Sequence, residues 1–242
     1  NSGCSLIDLG QGVLNFEFHT KMNSIGGEVI AGFRKSIEMA EKDFAGLVIS
    51  NSSAVFSAGA NLGMVFMLAA EQEYEELDMA IRAFQSFTML ARLSKIPVVV
   101  APKGLTLGGG CELSMHADGV QAAAETYVGL VEVGVGVIPG GGGTQRLARV
   151  VGPSKAKEMC LTGRQVKAEE ALRIGLADEV VSPESLMDRA LELGAILAKG
   201  ATVGQGICKR AIDEGLSTSL AAGLRIELDA FVEVFGSEDS QI

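Results

Sequence analysis

Two glutamates and three runs of small residues are the parts of this sequence whose types and spacing suit chemistry. The runs occupy residues 56–62 (FSAGANL), 104–113 (GLTLGGGCEL) and 138–147 (IPGGGGTQRL). Glu112 lies at the end of the second run, and Glu132 has apolar residues on both sides. Carboxyl groups serve as general acids and bases, and backbone amides in tight turns bind an oxygen that gains negative charge. These five features are the candidates for an active site.

The second and third runs each predict a turn that enters a helix. Glycines before a helix leave the backbone N–H groups unobstructed, and the helix dipole favours negative charge there. Neither run matches the phosphate loop GxxxxGK[ST], nor GxGxxG followed by a suitably placed acid. An oxyanion hole remains as the chemical interpretation. The alternative is structural, because consecutive glycines commonly mark tight turns or close packing of a helix on a sheet.

The two acids and the two histidines also have structural interpretations. Glu112 near a helix start can simply compensate the helix dipole. Glu132 in an apolar setting is costly to bury unpaired and tends to be protonated, unless an arginine forms a salt bridge with it. His116, four residues after Glu112, is expected to be a core or hydrogen-bonded histidine, and His19 a surface residue. We assign chemistry to neither histidine.

Strand-like and helix-like segments alternate along most of the chain. Alternating or continuous apolar patterns predict strands at residues 12–18, 46–50, 97–101, 118–123 and 126–130. Helical spacing predicts helices at residues 27–42, 71–94, from about 111, 154–161 and 168–174. This alternation predicts an α/β fold.

After Pro183 the pattern is helical only, over residues 186–199, 207–215 and 220–235. We therefore expect an α/β core with the site at residues 1–185 and a helical region at residues 186–242. A cluster of large apolar side chains after the first run is expected in the core, with the lining of an apolar pocket as the alternative: Met64, Phe66, Met67 and Leu68.

Length and composition bound the other possibilities. The chain has 242 residues, 48% hydrophobic and 21% charged, which is ample for a core. A net charge of −10 without a basic cluster disfavours nucleic acid binding. Apolar runs such as 96–101 are too short to span a bilayer, and residues 1–4 lack the features of a secretory signal. Four dispersed cysteines and only two histidines predict reduced thiols, a cytoplasmic location and no metal site.

Together, the motifs resemble the crotonase superfamily, the enoyl-CoA hydratase/isomerase family. The matching segments are FSAGANL at 56–62, GLTLGGGCELSMHAD at 104–118, ETYVGLVEVGVGVIPGGGGTQRL at 125–147 and LTGRQVKAEEALRIGLADEVV at 161–181. Their order and spacing match those of the family, and the resemblance covers essentially the whole chain. It implies a crotonase-type superhelix of strand-strand-helix turns, followed by a C-terminal helical oligomerisation region that forms trimers.

The resemblance also implies a substrate and residue roles. Family members bind acyl-CoA thioesters and stabilise an enolate-like thioester oxygen with two backbone N–H groups, which by motif are those of Ala60 and Gly109. The family's hydratases use two glutamates, here Glu112 as the base that activates water and Glu132 as the acid. Members that only shift a double bond typically keep the second acid alone. Further residues implied to bind substrate are Ala58, Gly59, Asn61, Leu62, Gly108, Pro139 and Gly140.

Because it has both glutamates, the sequence resembles a 2-enoyl-CoA hydratase of fatty-acid β-oxidation. A Δ3,Δ2-enoyl-CoA isomerase and a non-catalytic acyl-CoA-binding or oligomerisation module are the alternatives. The resemblance implies no metal and no cofactor apart from coenzyme A, which is part of the substrate. It also implies an acyl-CoA partner, no nucleic acid or membrane, and a homotrimer or homohexamer. Residues 116–143 are most similar to the hydratase portion of bifunctional 3-hydroxyacyl-CoA dehydrogenase/enoyl-CoA hydratases, so an excised hydratase part and a trimmed monofunctional enzyme are both compatible.

Overall fold

The computed structural model describes residues 3–240, in which strands and helices alternate as the sequence predicts. The strands are β1 (Cys4–Asp8), β2 (Val13–Phe18), β3 (Gly46–Ser50), β4 (Val98–Val100), β5 (Leu105–Leu107), β6 (Gly119–Ala123), β7 (Tyr127–Gly129), β8 (Val166–Lys167) and β9 (Glu179–Val181). The helices are α1 (Gly27–Asp43), α2 (Leu62–Ala70), α3 (Tyr74–Leu93), α4 (Gly109–His116), α5 (Gly143–Val151), α6 (Pro153–Thr162), α7 (Ala168–Ile174), α8 (Leu186–Ala198), α9 (Thr202–Gly215) and α10 (Leu220–Val234). The α/β class is therefore confirmed.

The larger sheet has six strands in the order β1-β2-β3-β4-β6-β9. β1 and β2 pair antiparallel, and the other neighbours in this sheet pair parallel. β3 and β4 are continuous apolar strands that are buried along their whole length, which is typical of parallel strands covered on both faces. α1 and α3 cover one face, and α8 covers the other.

A smaller sheet brings the first two small-residue runs together. Its order is β5-β7-β8, with β5 and β7 parallel and β7 and β8 antiparallel. A bridge between Ser57 and Thr106 attaches the first run to β5, and a second bridge joins Ile25 to Ala60. Because α4 begins at Gly109, directly after β5, the bend at residues 58–60 lies beside the N-terminus of α4.

The helical region divides into two parts. α8 packs on the larger sheet through Leu186, Ala190 and Ala195, which join Val48 and Val99 in one buried cluster. α9 and α10 pack mainly on each other. The three helices predicted after Pro183 are confirmed, and the domain boundary at residue 185 stays a prediction.

Two features differ from the sequence expectations. Sequence reasoning missed four strands, β1, β5, β8 and β9. Three of them have only two or three residues, and β1 (CSLID) has five residues without a clear alternation of buried and exposed positions. The core expectation for three apolar residues is wrong: the exposed fractions are 42% for Met64, 46% for Phe66 and 55% for Met67. These residues lie on α2, a nine-residue helix that packs mainly on α3 and leaves its outer face open.

Candidate active site

The bend at residues 58–60 presents the amide of Ala60. Gly59 has a φ of +98°, a conformation that other residues rarely adopt, so the turn requires glycine. The carbonyl of Gly59 accepts a hydrogen bond from the Ile25 amide at 2.8 Å, and the Asn61 amide donates to the Ile25 carbonyl at 3.1 Å. These two bonds fix the residues on both sides of Ala60 and leave its own N–H unused.

The second run forms a tight entry into α4. Gly108 has a φ of +52° and precedes the first helical residue, Gly109. The Gly108 amide donates to the Gly129 carbonyl at 2.9 Å, which ties the helix start to β7. Gly110 packs on Ser57 so closely that an added Cβ would come within 2.6 Å of the serine Cβ. Glycine at these positions therefore allows α4 to approach the first run.

The amides of Ala60 and Gly109 converge. A Cβ added to Gly109 would lie 3.4 Å from the Ala60 nitrogen, and one added to Gly59 would lie 3.0 Å from the Gly109 nitrogen. With standard bond lengths, the two amide nitrogens are no more than about 6 Å apart. Neither amide donates to a protein acceptor within residues 3–240. Two neighbouring free donors, one at a helix N-terminus, suit an oxygen that gains negative charge.

Glu112 lies on the first turn of α4 and is 2% exposed. Its Oε1 accepts hydrogen bonds from the amides of Gly141 and Gly143, each at 2.8 Å. Oε2 accepts no hydrogen bond from any other described residue. Burial raises the pKa of Glu112 to about 7, even though the two amide bonds favour the carboxylate. A carboxyl with this pKa exchanges protons readily at neutral pH.

The third run forms a cradle for this carboxyl rather than an oxyanion hole. A Cβ added to Gly141 would come within 2.5 Å of Oε2 of Glu112, and one added to Gly143 within 2.7 Å of Oε1. Gly142 has a φ of +96°, which turns the chain between the two donors. Because the Gly141 and Gly143 amides already bond to Glu112, they are not free for a substrate oxygen.

Glu132 approaches the same place from the 3-10 turn at Glu132–Val135. A Cβ added to Gly108 would lie 3.2 Å from its Oε1, so the carboxyl rests against the residue before Gly109. The other oxygen, Oε2, is buried without a hydrogen-bond partner. Burial raises the pKa of Glu132. The ion pairs within residues 3–240 do not include Glu132, so the salt bridge considered from the sequence is not found.

The two carboxyls influence each other. The charge of Glu132 contributes to raising the pKa of Glu112. Burial raises the pKa of the Cys111 thiol, which directly precedes Glu112, and the charges of both glutamates add to this effect. Like charges that interact titrate as a pair, so one carboxyl ionises while the other tends to keep its proton. The arrangement therefore supplies one acid and one base beside two free amide donors.

Comparison with known proteins agrees with this geometry. A family model described as enoyl-CoA hydratase/isomerase matches residues 8–242. The chain belongs to this family. Crotonyl-CoA hydratase of Syntrophomonas wolfei is 35% identical over 224 residues, which are 91% of this chain and 84% of that protein. The crystal structure of an enoyl-CoA hydratase from Bacillus anthracis has a TM-score of 0.89 and 28% identity, covering 98% of this chain and 93% of the other.

One relative of the family is much longer than this chain. The probable 3-hydroxyacyl-CoA dehydrogenase of Bacillus subtilis is 50% identical over 147 residues, which are 61% of this chain and 19% of that protein. The chain thus spans less than two thirds of that relative's length. The similarity to bifunctional proteins, and the membership of this chain in such a protein, stay predictions.

The other residues that the family resemblance implies to bind substrate lie in or beside the bend at residues 58–60 and the second and third runs. Ala58 and Asn61 are exposed, and Leu62 begins α2 and is half-buried. Gly108 and Pro139 are buried, and Gly140 is half-buried beside Ile81. Their contacts with substrate stay predictions. His116 is 5% exposed and hydrogen-bonds through Nδ1 to the Glu112 carbonyl, and His19 is exposed, so both histidine expectations are confirmed.

Sequence reasoning missed the residues that support the family's site from α3. Phe84 contacts the glycines of both the second and the third run, and Thr88 bonds to Gly141. The helical spacing of apolar residues in α3 was the only sequence signal for these residues. Any helix that packs on a core has the same spacing, so the signal does not identify residues near the site. Within the described part of the chain, no cluster of three His, Cys, Asp or Glu side chains suits a metal ion. No helix there is long and apolar enough to cross a membrane.

Proposed function

We propose that the protein is an enoyl-CoA hydratase, which adds water across the double bond of a 2-trans-enoyl-CoA thioester to give a 3-hydroxyacyl-CoA. The observation that carries this proposal is the meeting of two acceptor-free amides, at Ala60 and Gly109, with two interacting carboxyls, at Glu112 and Glu132. The family and the Syntrophomonas wolfei relative support the same reaction. Fatty-acid β-oxidation is the process in which such a reaction takes place.

Glu112 acts as the base in the proposed mechanism. Two amides occupy Oε1 and stabilise the carboxylate, which leaves Oε2 for a water molecule. Glu112 removes a proton from this water as its oxygen forms a bond to the β-carbon of the enoyl group. The electron pair of the double bond moves towards the thioester, whose oxygen becomes negatively charged. A pKa of about 7 places the base close to neutral pH, where proton transfer is most efficient.

Glu132 acts as the acid. Its Oε2 is buried without a hydrogen-bond partner, and burial raises its pKa, so the protonated form is favoured. It donates its proton to the α-carbon, which completes the addition of H and OH. Glu112 is then protonated and Glu132 ionised, so one proton must pass from Glu112 to Glu132 before the next cycle. Because hydration causes no net oxidation or reduction, we propose that no redox cofactor takes part. We also propose that no metal takes part, since two backbone amides stabilise the oxyanion.

The amides of Ala60 and Gly109 stabilise the enolate that forms between these two steps. Each donor aimed at the thioester oxygen contributes about 3 kcal/mol to stabilising the transition state. The dipole of α4 adds to the donor at Gly109, because that residue is the first in the helix. The coenzyme A part of the substrate supplies binding only, and its reacting atoms are the thioester and the adjoining double bond.

The proposal is tested by replacing each carboxyl with an amide of the same shape. With crotonyl-CoA as substrate, E112Q and E132Q are each expected to lower kcat by about 10²- to 10⁴-fold and to remain folded. E125Q, a change at an exposed glutamate, is the matched control and should keep wild-type kcat. Near wild-type hydration by E112Q would contradict the proposal.

A 3-enoyl-CoA substrate separates hydration from double-bond isomerisation. An isomerase would conjugate this substrate with Glu132 alone, so E112Q would keep its activity while E132Q lost it. A hydratase would instead show strong dependence on both residues with the 2-enoyl substrate. Binding of enoyl-CoA without turnover by the wild-type protein would favour the non-catalytic module.

We further propose that the chain assembles as a homotrimer or homohexamer through its helical region. A groove of about 460 Å³ lies between α9 and α10 and is lined by apolar side chains. The large exposed apolar residues of these two helices include Ile212, Leu216, Leu220, Leu224, Leu228 and Phe231. Continuous apolar surface of this kind marks interaction sites. Light scattering that gave the mass of a single 25.2 kDa chain would contradict this assembly.

A further inference from the structure

Helix α3 reaches the candidate site through two buried side chains that lie one turn apart. Thr88 is fully buried, and its hydroxyl donates a hydrogen bond to the Gly141 carbonyl at 2.8 Å. The amide of the same glycine donates to Oε1 of Glu112 at 2.8 Å. Within residues 3–240, Thr88 is the donor to this carbonyl. Thr88 therefore bonds to the residue that orients the proposed base.

Phe84, one turn earlier on α3, touches both halves of the site. A Cβ added to Gly109 would overlap its ring, and a Cβ added to Gly141 would come within 2.7 Å of its Cδ1 and Cε1. The ring is 7% exposed. It therefore fills the space between the N-terminus of α4, with its free amide, and the glycine cradle that holds Glu112.

We infer that Phe84 and Thr88 are positioning residues, which set the place of the glycine cradle relative to α4 and so aim the carboxyl of Glu112 at the atoms held by the Gly109 amide. The inference rests on the proposed function, because it concerns the geometry of the same site. Neither side chain transfers a proton. A phenyl ring has none to give, and the Thr88 hydroxyl is engaged with the carbonyls of Gln85 and Gly141.

The physical basis is that the cradle and α4 come from separate parts of the chain. Gly141 lies 29 residues after Glu112, and nothing local fixes their separation. The Phe84 ring sets a minimum distance between them, and the Thr88 bond prevents the cradle from turning away. A displacement of 1 Å in a reacting group costs roughly 100-fold in rate, so a small movement of the cradle has a measurable effect.

Thr88→Val tests the hydrogen bond, because valine has the shape of threonine without the hydroxyl. We expect kcat for crotonyl-CoA to fall about 10- to 100-fold with little change in KM. Glu132 is the charged group that acts on Glu112, and it is unchanged in this variant. Weaker amide donation to Glu112 then shifts the acidic limb of the kcat–pH profile to higher pH. Thr88→Ser should restore both properties.

Ser36→Ala is the matched control for this substitution. Ser36 is fully buried on α1, and its hydroxyl donates to the Phe33 carbonyl at 2.7 Å, away from the site. This variant should lose some thermal stability and keep the wild-type kcat and pH profile. A merely structural role for Thr88 would make Thr88→Val behave in the same way, which would overturn the inference.

Phe84→Leu tests the ring and also covers the case in which Thr88→Val does not fold. Its matched control is Phe33→Leu, which shortens a fully buried phenylalanine that packs on Phe16 and Phe87. Both should lower Tm, and only Phe84→Leu should lower kcat, by about 10-fold or more. Absence of turnover by the wild-type protein contradicts the proposed function. Wild-type turnover that Thr88→Val and Phe84→Leu leave unchanged contradicts this inference alone.

Discussion

Gly141→Ala is the most direct test of the glycine cradle, because it adds one methyl group where the structure has no room. The added Cβ would lie 2.5 Å from Oε2 of Glu112 and 2.7 Å from two ring carbons of Phe84. Ordinary contacts of this kind are 3.4–4 Å long. Either the carboxyl or the cradle must therefore move by about 1 Å.

The size of the effect follows from this displacement. A shift of 1 Å in a catalytic group lowers the rate by about 100-fold, and overpacking of a buried site typically costs 1–3 kcal/mol of stability. Gly141 does not have a positive φ, so backbone strain adds nothing to this cost. We expect kcat for crotonyl-CoA to fall about 100-fold while the protein stays folded.

Gly119→Ala is the matched control, since it adds the same methyl group at a buried glycine of β6, away from the site. Its Cβ would lie 2.9 Å from Cδ2 of Leu193, the end of a flexible side chain that can move aside. Hydration is followed by the loss of enoyl-thioester absorbance, and folding by thermal unfolding. Gly141→Ala with the same kcat as Gly119→Ala would refute the cradle as the element that orients Glu112.

Two further predictions concern stability. The pKa of Glu112 is about 7 in the folded protein and 4.5 ordinarily, so the folded state binds this proton more tightly than the unfolded state does. Protonation of Glu112 therefore stabilises the folded state by an amount on the order of 3 kcal/mol. This stabilisation is present below pH 4.5 and is lost as the pH rises through 7. Denaturant unfolding at pH 4.5 and 8 should show that E112Q loses less stability than wild type over this range. Lys209 bonds to Asp118 at 2.6 Å, so Lys209→Met should cost about 3 kcal/mol by leaving a mostly buried carboxylate unpaired. Adding Asp118→Asn should recover part of that loss in urea unfolding, and equal stability of the single and double variants would contradict the pairing.

Local sequence signals were sufficient for most of the longer elements and for the candidate residues. The continuous apolar run of β4 predicts a buried strand, and the glycines at 108–110 predict a tight helix entry. Glu132 stands out because an acid among apolar residues needs an explanation. Each of these properties depends on neighbours in sequence, and each is found in the structure.

The supporting contacts could not be predicted in the same way. The Gly141 and Gly143 amides lie 29 and 31 residues from the carboxyl that they hold, and Thr88 lies 53 residues from its acceptor. Nothing in the composition of the third run distinguishes donors to a side chain from donors to a substrate oxygen. Only the tertiary arrangement shows that the third run serves Glu112 and that the first and second runs leave their amides free.

Burial of Glu112 is unfavourable for stability at neutral pH, because it disfavours the ionised carboxylate. The surrounding structure therefore has to keep the pKa of this carboxyl low enough for it to act as a base. A carboxylate with 2% exposure loses most of its hydration, which raises its pKa towards 7. Without the two amide donors the pKa would rise further, and the group would be protonated and unable to act as a base. With full solvation it would approach 4.5, where it is a weak base. The two amide donors of the cradle therefore have to offset only part of the rise in pKa that burial causes. The short hydrogen bonds from Gly141 and Gly143 to the carboxyl set the size of this offset.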